Sequence, residues 1–329
     1  GLGSGGYKIS GDHSHPDHLC LIADDSEADP VPFITFEYSI GQRYFYGENG
    51  AELLFTENMT NRERLYGKKN KAPYVKDGFH DYIVSGKDSV SPDKQGTKAA
   101  FFYKNIEIEG KGARTFYFRL SDKPIDRPLV DVEKWIEQRR GEADEFYGSL
   151  CKPHHDEEAR RIMREALSSL LWSKQIYIFD VQRWLVGDNP IDPPPPNRKD
   201  IRNSHWRHLV SKRVMLMPDK WEYPWFAAWD LAFHCISCAL VDITFAKEQL
   251  WLLLFDQFQH PNGQIPAYEW EFSDLNPPVQ AWAAWELYQM ESEKSGRQDV
   301  SFLKRCFHKL MINFAWWVNK VDSSGNNIF

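Results

Sequence analysis

The sequence predicts an α+β protein whose two kinds of structure follow one another along the chain, an antiparallel β-sandwich first and paired helices after it. Three observations carry this reading. Residues from about 19 to 120 run in short aromatic and β-branched segments separated by Gly, Asp, Asn and Lys clusters. After Lys152-Pro153 the apolar period becomes 3.6. The length, 329 residues, accommodates two cores of about 100–200 residues each. The expected boundaries are a sandwich at 1–127, a linker helix at 128–152 and a helical domain at 153–329.

The strand segments include Phe33-Ile34-Thr35-Phe36-Glu37-Tyr38-Ser39-Ile40, Ala99-Ala100-Phe101-Phe102-Tyr103 and Thr115-Phe116-Tyr117-Phe118-Arg119-Leu120, and two antiparallel sheets packed face to face are their natural arrangement. The polar run Ser121-Asp122-Lys123-Pro124 leads into 131–149, where Val132, Trp135, Ile136 and Phe146 fall at near-helical spacing among charges. Asp156-Glu157-Glu158 then supplies carboxylates to a first helical turn, where the helix dipole favours them, and Ile162, Ala166, Leu170 and Leu171 follow on one face. Further helices are expected at about 224–240, 242–258, 277–293 and 299–321. Asp242 and Asp299 are the expected N-caps, and Pro277-Pro278 is expected in a first turn. Leu250-Trp251-Leu252-Leu253-Leu254-Phe255 is apolar all round and should be enclosed by other helices. Between the helix that opens at Asp156-Glu157-Glu158 and the one at about 224–240 lie some forty residues containing Pro193-Pro194-Pro195-Pro196, which read as a lid or rim over a site.

Composition narrows the function. A net charge of -7 with no clustered Lys/Arg stripe excludes nucleic acid as the expected partner. Thirteen Trp within a 15% aromatic share suit the gripping of sugar faces as well as the filling of helical cores. Cys20, Cys151, Cys235, Cys238 and Cys306 form no even framework, so no disulfide is expected. The first ten residues hold no apolar signal core, and no apolar run reaches the ~20 residues that span a bilayer. The expectation is a soluble, cytoplasmic protein without membrane association; the sequence leaves the oligomeric state open. The acceptor pattern Asn58-Met59-Thr60 is read as a chance match.

The chemistry concentrates in Trp221-Glu222-Tyr223-Pro224-Trp225-Phe226-Ala227-Ala228-Trp229-Asp230 and the following Leu231-Ala232-Phe233-His234. With Pro224 opening a helix, Phe226, Asp230 and His234 share one face, and Trp225, Trp229 and Phe233 the next. A carboxyl group walled by indoles is disfavoured as the anion, which is what a general acid near neutral pH requires. The alternative is a structural Asp230 that accepts from an indole N–H or from His234. A second cluster, His260-Pro261-Asn262-Gly263-Gln264-Ile265-Pro266-Ala267-Tyr268-Glu269-Trp270-Glu271-Phe272, is a Pro/Gly-punctuated loop. Its Gln264, Tyr268, Glu269 and Trp270 are of the types that hydrogen-bond and stack on sugars, although an ordinary helix connection with a buried Trp fits as well. Candidate substrate-binding residues are therefore Trp221, Tyr223, Trp225, Trp229, His234, Gln264, Tyr268, Glu269 and Trp270, with Asp230 the catalytic candidate.

These two runs, together with Asn276-Pro277-Pro278 and Ala281-Trp282, resemble glycoside hydrolase family 63, which includes processing α-glucosidase I and the bacterial mannosylglycerate and glucosylglycerate hydrolases. The likeness is greatest to the cytosolic microbial and fungal glucosidase-like branch. It extends more weakly through Thr56-Glu57-Asn58, 72–78 and Ser173-Lys174-Gln175, and so covers most of the chain. The resemblance implies a β-sandwich leading into an (α/α)6 toroid, a six-hairpin glycosidase fold, and an inverting mechanism in which Asp230 is the general acid. It also implies a second carboxylate about 6.5–9.5 Å away as base, on a helix beyond the first half of the toroid. The chain offers about five of twelve helices and no position matching that base; Glu269 and Glu271 are the nearby carboxylates, and the family pattern gives neither the role. The expectation is a partial chain, or a degraded gene product, with low or absent activity alone.

No metal or other cofactor is expected. Cys235-Ile236-Ser237-Cys238 has the spacing of a zinc half-site but lies within a helix and lacks a second pair. His13, His15, His18 and Cys20 read as solvated groups in an entry segment. Two further function classes stay open: a non-catalytic carbohydrate-binding or scaffold module, and another α/α-toroid enzyme such as a trehalase-like hydrolase or a lyase.

Overall fold

The computed structural model describes residues 6–29, 39–187, 193–201, 204, 206–255, 257–269, 274–320 and 324–326. The chain is α+β and divides into two compact units, Gly1–Asp144 and Glu145–Phe329.

The first unit contains β1 (Lys8–Asp12), β2 (His18–Asp24), β3 (Arg43–Glu48), β4 (Ala51–Thr56), α1 (Arg62–Tyr66), α2 (Gly78–Ser85), β5 (Gln95–Gly96), β6 (Lys98–Tyr103) and β7 (Phe118–Ser121). One antiparallel sheet has the order β5-β1-β2-β3-β7, and β4 pairs with β6 in a second, with Leu53 opposite Phe101. Alternation turns Leu19 and Leu21 of β2 and Leu53 and Phe55 of β4 into one buried cluster, joined by Ile9 and Phe101, so the sheets face one another across it. Gly47 permits this approach, because a Cβ there would stand 2.9 Å from Phe101 and 3.0 Å from Phe118. The strand expected at 33–40 lies almost wholly outside the described residues. The segment at 115–120 becomes strand at Phe118, where pairing with β3 begins.

Helix α3 (Val132–Leu150) contains the division between the units. In the second unit, α4 (Glu157–Trp172) is capped by Asp156, which accepts from the Ala159 amide at 2.8 Å. Next come β8 (Lys174–Asp180), α5 (Val181–Val186), a 3-10 turn at Pro196–Asp200 and β9 (Val210–Leu216). Strands β8 and β9 pair antiparallel along their full length, from Lys174 opposite Leu216 to Asp180 opposite Val210. The stretch read as a lid or rim thus carries secondary structure that was not expected there. Its described residues form a hairpin with a long, partly helical connection, and Ile176, Ile178 and Val214 are its β-branched signal.

Four helices follow: α6 (Ala228–Ala239), α7 (Ile243–Leu254), α8 (Gln280–Ser295) and α9 (Val300–Asn319). Asp242 and Asp299 cap α7 and α9, accepting from the Phe245 and Phe302 amides at 2.9 and 3.0 Å. Pro224 does not open α6: the helix starts at Ala228, whose amide donates to the Ala267 carbonyl at 2.8 Å, and Ala227 before it is extended. Pro277-Pro278 likewise precede α8, whose cap is Val279. Leu231, Cys235, Leu250, Leu253, Leu254, Leu287, Phe302 and Cys306 build the core shared by these helices. The enclosure expected for α7 is incomplete, since Phe255 at its end remains exposed. Among the described residues no helix is long and apolar enough to cross a membrane.

Candidate active site

The approach to α6 is a turn held by Asp219, whose Oδ1 accepts from the Trp221 and Glu222 amides at 2.6 Å each. Those amide bonds hold the Asp219 carboxyl below its ordinary range. Beyond the turn the chain has no regular structure until α6 begins. Trp225 lies edge-on to Tyr223 with ring centroids 5.1 Å apart, while Phe226 turns inward against Phe258 at 5.0 Å. The Ala228–Ala267 bond then locks the first amide of α6 to the loop that follows α7.

That loop is itself fixed from α9. Asn313 Nδ2 and Gln259 Nε2 donate to the Gly263 carbonyl at 2.8 and 3.2 Å. Gly263 has φ +99°, and a Cβ there would stand 2.5 Å from the Ile312 carbonyl oxygen, so glycine is required.

Between the two segments opens a cavity of about 670 Å³ lined by Pro218, Tyr223, Trp225, Ala227, Trp229, Asp230, Ala267, Tyr268 and Asn276. Five of the sequence candidates, Tyr223, Trp225, Trp229, Asp230 and Tyr268, meet here. Asp230 occupies the first turn of α6 and is the one carboxylate in the lining among the described residues. Trp229 stacks edge-on with Phe233, which meets Trp282 at 5.4 Å, so the aromatic wall continues from α6 to α8. The Tyr268 hydroxyl donates to Asp274 Oδ2 at 2.6 Å.

Other candidates sit elsewhere. Trp221 is 91% exposed and outside the cavity. His234 is one turn beyond Asp230 and half-buried, with Nδ1 enclosed and without a hydrogen-bond partner. Burial pushes its imidazole below the usual range, against the pull of Asp230. Gln264 is buried, its backbone N–H donating to Asn262 Oδ1 at 2.9 Å, and does not line the cavity. Glu269 is 0% exposed, which takes its carboxylate out of reach of a sugar in the cavity. Trp270, and with it Glu271, lies outside the described residues. Asn276 was missed as an individual residue although its Asn-Pro-Pro run stood out; it lines the cavity with a buried, unpartnered Oδ1. Cys235 and Cys238 are buried within α6, and burial pushes the Cys238 thiol up to about 11 and the Cys235 thiol upward as well, against the thiolate that zinc needs.

Residues 223–329 match the mannosylglycerate hydrolase MGH1-like glycoside hydrolase domain. All of the cavity lining except Pro218 falls inside that segment. That segment is thus similar to a glycoside hydrolase domain. An uncharacterized protein of Saccharomyces cerevisiae (YMR196W) is 44% identical over 290 residues, which is 84% of this chain and 27% of that protein. The chain thus spans about a quarter of the relative's length.

Proposed function

We propose that this chain supplies the acid half of an inverting α-glycosidase site, within helices that belong to an (α/α)6 toroid of the glycoside hydrolase family 63 type. Asp230 gives its proton to the glycosidic oxygen as the bond to the anomeric carbon breaks. Tyr223, Trp225, Trp229 and Tyr268 hold the sugar by its apolar faces and edges. The substrate class is an α-glucoside, or a mannosyl- or glucosylglycerate. The general base, about 6.5–9.5 Å from the acid in an inverting site, is proposed to lie outside these residues; the relative's much greater length leaves room for it. The observation that carries the reading is one carboxylate among four aromatic side chains in a cavity of sugar size.

In the full-length protein, Asp230→Asn should abolish release of glucose or mannose while calorimetric binding of the same glycoside survives. Undiminished turnover in that variant removes Asp230 from the reaction. A second reading, a carbohydrate-binding or scaffold module, is favoured by the lack of a second carboxylate in the described lining. Sugar binding without hydrolysis by the full-length protein would establish it.

A further inference from the structure

The buried carboxyl of Glu269 joins the loop after α7 to other segments of the site. It accepts a hydrogen bond at Oε1 from the Tyr177 hydroxyl of β8, and its Oε2 is enclosed without a partner. The residues immediately before it, Ala267 and Tyr268, are cavity wall, and the Ala267 carbonyl holds the first amide of the helix bearing Asp230. The Phe226 amide, next to the wall residue Trp225, also acts on this carboxyl. One acid thereby ties β8 to the loop, and the Ala267–Ala228 bond ties the loop to the start of α6.

We propose that Glu269 is a positioning residue: as a neutral acid bonded to Tyr177 it fits the closed packing of the loop carrying Tyr268 and, through the Ala267–Ala228 bond, of the start of α6, and its ionisation, which must bring water to the bare Oε2, loosens them. The energetic reason is local. An anion with one oxygen buried and without a partner is costlier than the neutral acid. Burial accordingly pushes the carboxyl up to about 7, against the opposing pull of Tyr177 and of the Glu269 and Phe226 amides.

Among the described residues, Tyr177 is the titratable side chain that meets Glu269, and its hydroxyl is pushed far above the ordinary tyrosine range by burial and then by Glu269, so it stays protonated. Its register partner on β9, Arg213, is exposed. On the cavity side stand Asp230 and Tyr223 in the lining and the Tyr268–Asp274 pair, with the half-buried His234 one turn beyond Asp230. His260 opens the loop with its ring 5.4 Å from His208. Histidines also titrate near neutrality, so the test must single out the carboxyl.

The latch is tested without substrate, so its failure is separable from failure of the glycosidase reading, on which only its consequence for catalysis rests. Infrared difference spectra between the full chain and Glu269→Gln should show a neutral carboxylic acid band that fades as the pH is raised through about 7. Over the same range the fluorescence of the chain should change, and the change should be lost in Glu269→Gln and reduced in Trp225→Phe. Tyr177→Phe removes a donor that favours the anion, so the midpoint should move upward. Asp230→Asn, inactive under the glycosidase reading, should keep the whole titration. No neutral acid band at pH 6, or an unchanged fluorescence titration in Glu269→Gln, overturns the proposal. If Glu269→Gln does not fold, an unmoved midpoint in Tyr177→Phe does the same.

Discussion

At Asp230 the local sequence does two things at once. Ala228, Leu231, Ala232 and Cys235 face the core and anchor the helix, while Trp229, Asp230 and Phe233 are left accessible. The carboxylate therefore stands on a rigid element, as a group that must meet a substrate oxygen within hydrogen-bond distance should. Trp225 contributes area rather than charge. Trp225→Ala should weaken glycoside binding by about 1 kcal/mol beyond the lost contact area, several-fold or more in Kd by calorimetry, and leave the thermal midpoint nearly unchanged. A large loss of stability instead would make Trp225 a core residue. Asp230 and the aromatics were legible because residue type and spacing expose them. The enclosure of Glu269 was not, since it depends on Tyr177, 92 positions away.

At the scale of elements, what is local in the chain is what the sequence reveals. The caps Asp156, Asp242 and Asp299 act within three residues of themselves, so their helices begin where expected. Asp242→Ala should cost about 1 kcal/mol, measurable by urea denaturation. Helix α6 begins four residues later than its Pro signal suggests because the deciding bond, Ala228 to Ala267, is non-local. The β8–β9 hairpin escaped notice for the same reason, its strands being separated by a proline-rich connection. The packing of α7, α8 and α9 turns on a buried Lys247, which pairs with Glu291 and with Asp299 Oδ2 at 3.0 Å and lies 4.8 Å from the Phe302 ring centroid. Lys247→Met leaves both carboxylates only the long contacts of the exposed Arg297, 3.7 Å to Glu291 and 3.8 Å to Asp299, and should destabilise by up to about 3–5 kcal/mol. Loss of under 1 kcal/mol in a denaturation curve would show that the three helices hold together without it.

For the molecule as a whole, the Glu269 carboxyl links folding to pH. Its folded value of about 7 lies above the ordinary 4.5, so between those values the folded chain keeps a proton that the unfolded chain has released. Stability from this group is full below about 4.5, falls as pH rises, and is lost above about 7, a total on the order of 3 kcal/mol. Calorimetry from pH 5 to pH 8 should show this decline, and Glu269→Gln should flatten it; an identical slope in the variant would assign the decline to other groups. The succession of sheets and helices was readable from apolar periodicity, which is a property of each segment alone. Helix pairing into a closed toroid depends on contacts between distant helices, and remains part of the proposed function.

The central claim is that Asp230 donates a proton to the leaving group, and leaving groups differ in how much they need one. The decisive measurement compares Asp230→Asn with the parent full-length protein on an alkyl α-glycoside and on the matching α-glycosyl fluoride. Loss of about 10²–10⁴ on the alkyl glycoside with near-parent turnover of the fluoride is the predicted result. Equal activity on the alkyl glycoside, or equal loss on both substrates, contradicts it.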